Sequence, residues 1–417
     1  MELALEGGQP VREKPFYSWP AFGDAEKKSL LEVLRSGSWG GYNEKVNQFE
    51  ASFAALHQVQ HAISCANGTV ALEVTLRALG IQCGDEVIVP PFTFVSTVTS
   101  VLLCHGAPVF VDIDPISLGL SPQAVEAAIT PRTRAIIAVH FGGHPADMDA
   151  LTNIAKRHGV ALIEDAAHAH GATWRNTPVG NFGSMATFSF QAFKLVTSGE
   201  GGVIVTNSSE LAEKLWSYCN QGRQRGSGWF EHFTLGSNYR ITGFQAALLC
   251  AQLEKLPEQT RTRMENVQYF RNRLQGFPGV MLPEDDPRVG QHPHYLVTLR
   301  YNKEEFEGIE RDRFIQAMQA EGIPAQPTYP YPLYGNPLFR DNALPPCQCG
   351  NWRPTQKYDS LFLPESERIC RDGIWLEHSL FLGTRKDVDD IVTAFEKVRR
   401  FAHSLRQSQE ASHPSQK

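Results

Sequence analysis

Lys194 stands between Phe193 and Leu195 and is followed by Gly199-Glu200-Gly201-Gly202. Apolar flanks are unusual for a solvated lysine. Partial burial lowers an amine's pKa and makes it available as a nucleophile for an aldehyde. Asp165, 29 residues earlier, ends Ala161-Leu162-Ile163-Glu164-Asp165, an apolar run that reads as a strand closing in two carboxylates. Carboxyl ends of strands in an open α/β sheet face the ligand crevice. Alternation along the strand aims Asp165 at that crevice and Glu164 away from it. A carboxylate placed there can pair with a protonated ring nitrogen. Each residue alone has a plainer reading, a capping aspartate and an exposed turn lysine. Together they suit an aldehyde carried on a nitrogen heterocycle.

Two further segments complete that chemistry. Ala66-Asn67-Gly68-Thr69 precedes a predicted helix over Thr69–Ala78. The N–H groups of Gly68 and Thr69 at the helix start would hold a phosphate dianion, with the Ser189 hydroxyl as an added donor. Pro90-Pro91-Phe92-Thr93-Phe94 follows the predicted strand Glu86–Val89, so Phe94 or Phe92 could cover an aromatic ring.

These residues need a scaffold that brings strand ends together. From about residue 60 to 205, short apolar runs (Glu86–Val89, Pro108–Val111, Ala135–Val139, Ala161–Ile163, Gly202–Val205) alternate with helical stretches (Thr69–Ala78, Pro122–Ala128, Ala150–His158). That pattern predicts an α/β fold with a large, mainly parallel sheet covered on both faces. A long helical pattern from Thr242 to Gln275 leads to a smaller C-terminal α+β domain. The expected divisions are an N-terminal arm over 1–20, a large ligand-binding domain over 21–255, a small domain over 256–403 and a disordered polar tail over 404–417. With 417 residues, two domains are expected.

Composition sets outer bounds. The net charge of −6, without a basic run, argues against a general nucleic-acid surface. No stretch of eighteen apolar residues and no basic, apolar leader occurs, so a cytoplasmic protein without a membrane span is expected. Eight cysteines read as reduced thiols, mostly core. The pair Cys347 and Cys349 has the wrong spacing for zinc, and no metal site is expected.

Taken together, Glu164-Asp165-Ala166-Ala167-His168-Ala169-His170-Gly171, Phe188-Ser189-Phe190-Gln191-Ala192-Phe193-Lys194 and Gly199-Glu200-Gly201-Gly202 resemble the DegT/StrS group of pyridoxal-phosphate aminotransferases, over residues 15–402. The resemblance implies the aspartate-aminotransferase-like fold (fold type I) and pyridoxal 5′-phosphate as cofactor. It makes Lys194 the Schiff-base lysine and Asp165 the partner of the pyridine nitrogen. Gly68, Thr69 and Ser189 become the phosphate site, and Phe94 the stacked aromatic. His168 falls where many members have glutamine, beside the cofactor's phenolic oxygen. Gly236-Ser237-Asn238-Tyr239-Arg240 resembles the segment whose asparagine reaches the neighbouring subunit's phosphate, which implies a homodimer with Asn238 in the partner's site.

Within the group, the Ala-His-Ala-His-Gly string and Glu377-His378-Ser379-Leu380-Phe381-Leu382-Gly383 look most like the scyllo-inosose aminotransferase and 3-amino-5-hydroxybenzoate synthase branches. The implied reaction moves an amino group from glutamine or glutamate to a ketone on a cyclitol or sugar ring. Partners for such a polyhydroxylated acceptor are sought among Trp39, Tyr42, His292, His294, Tyr295, Tyr329, Tyr331 and His378. Arg223 and Arg225 could meet a carboxylate or a phosphate. A nucleotide-sugar aminotransferase is the second reading. Related sugar dehydratases carry histidine where this chain has Lys194, and a non-catalytic cofactor-binding protein would lack Lys194 or Asp165.

Overall fold

A computed structural model describes residues 2–340 and 356–412. Seven strands form the central sheet: β1 (His61–Cys65), β2 (Glu86–Val89), β3 (Ala107–Phe110), β4 (Thr133–Val139), β5 (Ala161–Asp165), β6 (Met185–Ser189) and β7 (Gly202–Thr206). Their order is β1-β7-β6-β5-β4-β2-β3. The pairs β3–β2, β2–β4, β4–β5 and β5–β6 are parallel, and β7 alone runs opposite to its two neighbours β6 and β1. The carboxyl ends of β1, β2, β5 and β6 therefore emerge at one edge.

Every residue of β2, β3, β6 and β7 is buried. Such strands need side chains that are apolar on both faces, which is why they read as continuous apolar runs rather than alternating ones. Helices α1 (Asp24–Ser36), α2 (Glu44–His57), α3 (Gly68–Ala78) and α4 (Ser96–Leu103) lie in the first quarter of the chain. Asn67 caps α3, its side chain accepting from the Val70 N–H at 2.9 Å.

The long helix Gly243–Arg273 leads to an antiparallel sheet of β8 (Val280–Met281), β9 (Leu296–Tyr301), β10 (Gln326–Pro327) and β11 (Gly373–Glu377), ordered β8-β9-β11-β10. Its core joins Leu299, Ile374 and Leu376 to Phe314, Phe395 and Val398 of the helices Arg311–Ala320 and Arg385–Arg400. The N-terminal segment packs onto this unit. Leu3 is in its core, the Ala4 and Val11 N–H groups donate to the Glu321 carboxylate, and Arg12 pairs with Asp387 and Asp390.

Two expectations change. The chain from Ala402 to Ser412 is helical, not a disordered tail from residue 404, because Leu405 inserts into the C-terminal core and anchors an otherwise polar stretch. Residues 413–417 lie outside the described residues. Cys83 is disulfide-bonded, not a reduced core thiol; it sits in a half-buried turn. Cys65, Cys104, Cys219, Cys250 and Cys370 are free, while Cys347 and Cys349 are not among the described residues. Among the described residues no helix is long and apolar enough to cross a membrane. Among them, too, no cluster of three His, Cys, Asp or Glu side chains is arranged to hold a metal.

Candidate active site

Asp165 is the last residue of β5 and is buried. Its Oδ2 accepts from Thr97 Oγ1 at 2.8 Å and its Oδ1 from the Ala167 N–H at 3.3 Å. Burial raises its pKa, opposed by these two donors and by the nearby Lys194 ammonium. Glu164 points to the opposite face, as alternation requires. It accepts from the N–H groups of Gly180, Phe182 and Gly183 and from buried His140. Those contacts outweigh burial and keep its pKa low. The two adjacent acids thus divide into one committed to the structure and one turned toward the crevice.

Lys194 lies in the turn after β6. Burial lowers its pKa to about 8, and the Asp165 carboxylate limits the fall. Lys194 and Asp165 therefore lie close enough to feel each other's charge. Lys194 Nζ stands 4.6 Å from the centroid of the Tyr295 ring. His168 stacks on the same ring with centroids 4.2 Å apart. The His168 Nδ1 accepts from the Gly142 N–H at 3.3 Å, an arrangement in which Nε2 carries the proton. Burial and the Lys194 charge hold the imidazole neutral.

The turn that opens α3 is tight. A Cβ on Gly68 would lie 2.8 Å from Ser189 Cβ, and one on Gly202 would lie 2.5 Å from the carbonyl of Asn67. Gly202 is therefore required by the neighbouring backbone rather than by a ligand. The first-turn N–H groups of Gly68 and Thr69 have no acceptor among the described residues. Thr69 Oγ1 is 2.7 Å from Ser96 Oγ. Phe92 is fully buried against Phe141 and Tyr329, which makes it a core residue, whereas Phe94 is 59% exposed at the crevice edge.

The remaining candidates separate by place. Tyr295, which faces Lys194, is stacked with His378 at 5.8 Å, and Tyr329 packs against Phe92, Phe141 and Trp375, its pKa raised by burial. His292 and His294 instead join His144 along a different cavity of about 240 Å³. Tyr42 and Trp39 are half exposed. Tyr42 donates to Asn220 and Trp39 to the Leu34 carbonyl. Arg225 is paired with Glu213, Arg223 lies over the Trp229 ring, and Tyr331 is exposed. Asn238 is exposed and bridges to Asn220 in the loop that also carries Trp229, Phe230, Phe233 and Leu235.

Sequence reasoning missed two contributors. Thr97 left no signal, because a threonine in an apolar helix reads as packing. Trp19 comes from the N-terminal segment. Its indole N–H donates to the Ala192 carbonyl and its ring meets His378 edge-on at 4.6 Å.

The sequence profile of the DegT/DnrJ/EryC1/StrS aminotransferase family matches residues 20–396. A Streptoalloteichus tenebrarius protein provisionally named an L-glutamine:3-amino-2,3-dideoxy-scyllo-inosose aminotransferase is 41% identical over 97% of this chain and 99% of its own. The L-glutamine:2-deoxy-scyllo-inosose aminotransferase of Micromonospora echinospora is 38% identical over 95% of this chain and 97% of its own. The crystal structure of 3-amino-5-hydroxybenzoic acid synthase superposes with a TM-score of 0.84 at 35% identity, covering 93% of this chain and 100% of that one. The architecture is that of the aspartate-aminotransferase-like, fold type I enzymes.

Proposed function

This chain belongs to the DegT/DnrJ/EryC1/StrS aminotransferase family, and on that premise we propose that it uses pyridoxal phosphate to move an amino group from glutamine to a ketone on a scyllo-inosose-like cyclitol ring. The observation that carries the reading is that buried Asp165 is held by Thr97 while the adjacent Ser96 meets Thr69 of the Gly68 turn, with the buried amine of Lys194 within range of the Asp165 charge. The donor and acceptor follow those in the names of the relatives from Streptoalloteichus and Micromonospora.

The residues fit the cofactor. Two helix-start N–H groups and the Ser189 hydroxyl suit its phosphate, and Asp165 suits its ring nitrogen. Phe94 is free to cover one ring face, and Lys194 can bond its aldehyde carbon. When bound, pyridoxal phosphate supplies an electron sink that makes the donor's α-hydrogen acidic.

This chain's own groups do the rest. Asp165 keeps a proton on the ring nitrogen by ion pairing. His168, neutral with its proton on Nε2, donates to the phenolic oxygen. Lys194 Nζ, with a pKa near 8, takes the proton from the donor's α-carbon and returns it to a carbon on the other side of the transferred nitrogen. Tyr295, Tyr329 and His378 exclude water and offer hydroxyl and imidazole partners to a polyhydroxylated, uncharged acceptor. The enzyme works as a homodimer in which Asn238 reaches the neighbouring phosphate. This is supported by an exposed apolar loop, with Trp229 58%, Phe230 87% and Leu235 88% exposed.

Borohydride reduction of the holoenzyme followed by peptide mass spectrometry tests the core of the reading. The expected result is a reduced cofactor adduct on Lys194, absent from Lys194→Ala; an adduct elsewhere overturns the lysine assignment. A panel of keto-cyclitols and nucleotide-linked ketones, with glutamine as donor, tests the acceptor. Turnover restricted to the nucleotide-linked ketones would replace the cyclitol reading with a nucleotide-sugar one.

A further inference from the structure

We propose that the first turn of α4 is a two-hydroxyl brace, Ser96 positioning the phosphate turn through Thr69 and Thr97 positioning the ring-nitrogen partner Asp165, so that one helix sets the span between the two ends of the cofactor. The inference rests on the cofactor reading above and extends it to residues outside the site itself. Neighbouring side chains on a helix diverge by about 100°. Ser96 and Thr97 therefore face different directions. Ser96 Oγ lies 2.7 Å from Thr69 Oγ1, and Thr97 Oγ1 lies 2.8 Å from Asp165 Oδ2. One rigid turn thus touches β1's loop on one side and the end of β5 on the other.

The proton arrangement on the Asp165 side is determined by counting donors. An ionised carboxylate only accepts, so the single Thr97 hydroxyl proton goes to Asp165. The Thr97 oxygen must then accept from Thr93, 2.9 Å away, which makes the chain Thr93 to Thr97 to Asp165 unidirectional. Both threonines are buried, with exposures of 3% and 1%, so water does not replace either donor. The Thr97 hydroxyl donated to Oδ2 stabilises the carboxylate form, the form that holds a proton on the pyridine nitrogen. Loss of the Thr97 donor removes one of the groups that offset burial at Asp165. On the other side, a proton from Ser96 to Thr69 leaves the Thr69 hydroxyl free to donate to a phosphate oxygen. Pro90-Pro91-Phe92-Thr93-Phe94 accordingly serves two ends. Phe94 stands at the crevice and Thr93 feeds the hydroxyl chain.

The two ends can be told apart with two ligands. Dissociation constants of pyridoxal phosphate and of pyridoxal, which lacks the phosphate, are measured by equilibrium dialysis against the cofactor-stripped full chain and its variants. Thr97→Val should weaken both ligands equally, by roughly tenfold, because the lost bond served a charged group. Thr97→Ser should stay within about twofold of the parent, since it restores the donor. Ser96→Ala should weaken pyridoxal phosphate and leave pyridoxal unchanged. In Thr97→Val the acid limb of pyridoxal phosphate binding should also move to higher pH, because Asp165 protonates earlier. A merely structural threonine would not move that limb. Should Thr97→Val fail to fold, Thr93→Val stands in, with a smaller loss for both ligands. The brace is overturned if Thr97→Val (or Thr93→Val in its place) binds both ligands like the parent, or if Ser96→Ala weakens pyridoxal as much as its phosphate. A parent chain that binds neither ligand overturns the cofactor reading as well, so the two failures are distinguishable.

Discussion

Lys194 shows how one side chain can be chemically ready and structurally costly at once. Its pKa is lowered to about 8 chiefly by burial, with Asp165 pulling it back upward. Below that value the folded chain carries a poorly solvated ammonium that the unfolded chain would hydrate. The penalty is complete below pH 8 and fades as the pH rises toward the ordinary lysine value. Lys194→Met should therefore stabilise the cofactor-free protein at neutral pH, by up to about 3 kcal/mol, and calorimetry at pH 7 and at pH 10 should show the gain shrinking at the higher value. Labelling of the same amine with a small aldehyde should have its midpoint near pH 8. In Asp165→Asn the midpoint should move lower, because the group that raises the pKa is gone. An unmoved midpoint would mean that the two side chains do not interact.

At the scale of elements, the site is a meeting of strand ends held at backbone contact distance. β7 passes so close to the α3 entry turn that a Cβ at Gly202 would fall 2.5 Å from the Asn67 carbonyl. Backbone cannot yield there as a side chain could. Gly202→Ala is expected to cost about 2–3 kcal/mol and to weaken cofactor binding by displacing Gly68 and Thr69. Gly199→Ala, whose added Cβ meets nothing within 4 Å but whose φ is +84°, should cost only about 1 kcal/mol and leave the phosphate site intact. Thermal melts and cofactor titrations of the two variants check both statements. Equal effects on binding would mean that β7 does not shape the turn.

For the whole molecule, the proposed dimer rests on the exposed loop that carries Trp229, Phe230, Phe233, Leu235 and Asn238. Large apolar side chains standing this far into solvent commonly mark an association surface. Leu235→Asp combined with Phe230→Asp should convert a dimer into a 46.4 kDa species in analytical ultracentrifugation, and activity should fall with it, since Asn238 would no longer meet the neighbouring site. A double variant that keeps twice the chain mass would show that other surfaces hold the dimer. A fully active parent of single-chain mass would remove Asn238 from the mechanism.

The type of sheet, and the burial of Asp165 and Lys194, could be read from the sequence because they depend on local pattern. Continuous apolar runs mark strands buried on both faces, and alternation within five residues of β5 separated Asp165 from Glu164. A lysine in apolar company and a glycine-led helix start carry their chemistry in their immediate neighbours. What depended on distant segments was not legible. That Phe92 is core while Phe94 stays exposed was decided by Phe141 and Tyr329 closing over Phe92. Leu405 ordered a polar tail by reaching a core built from other elements, and His292 and His294 were drawn away to His144 while Tyr295, the next residue, turned to Lys194. Thr97 and Trp19 gave no sign, since a hydroxyl or an indole becomes a site residue only through the group it meets. Periodicity and chain order determine which way a side chain leaves its element, but only packing between elements decides what it finds there.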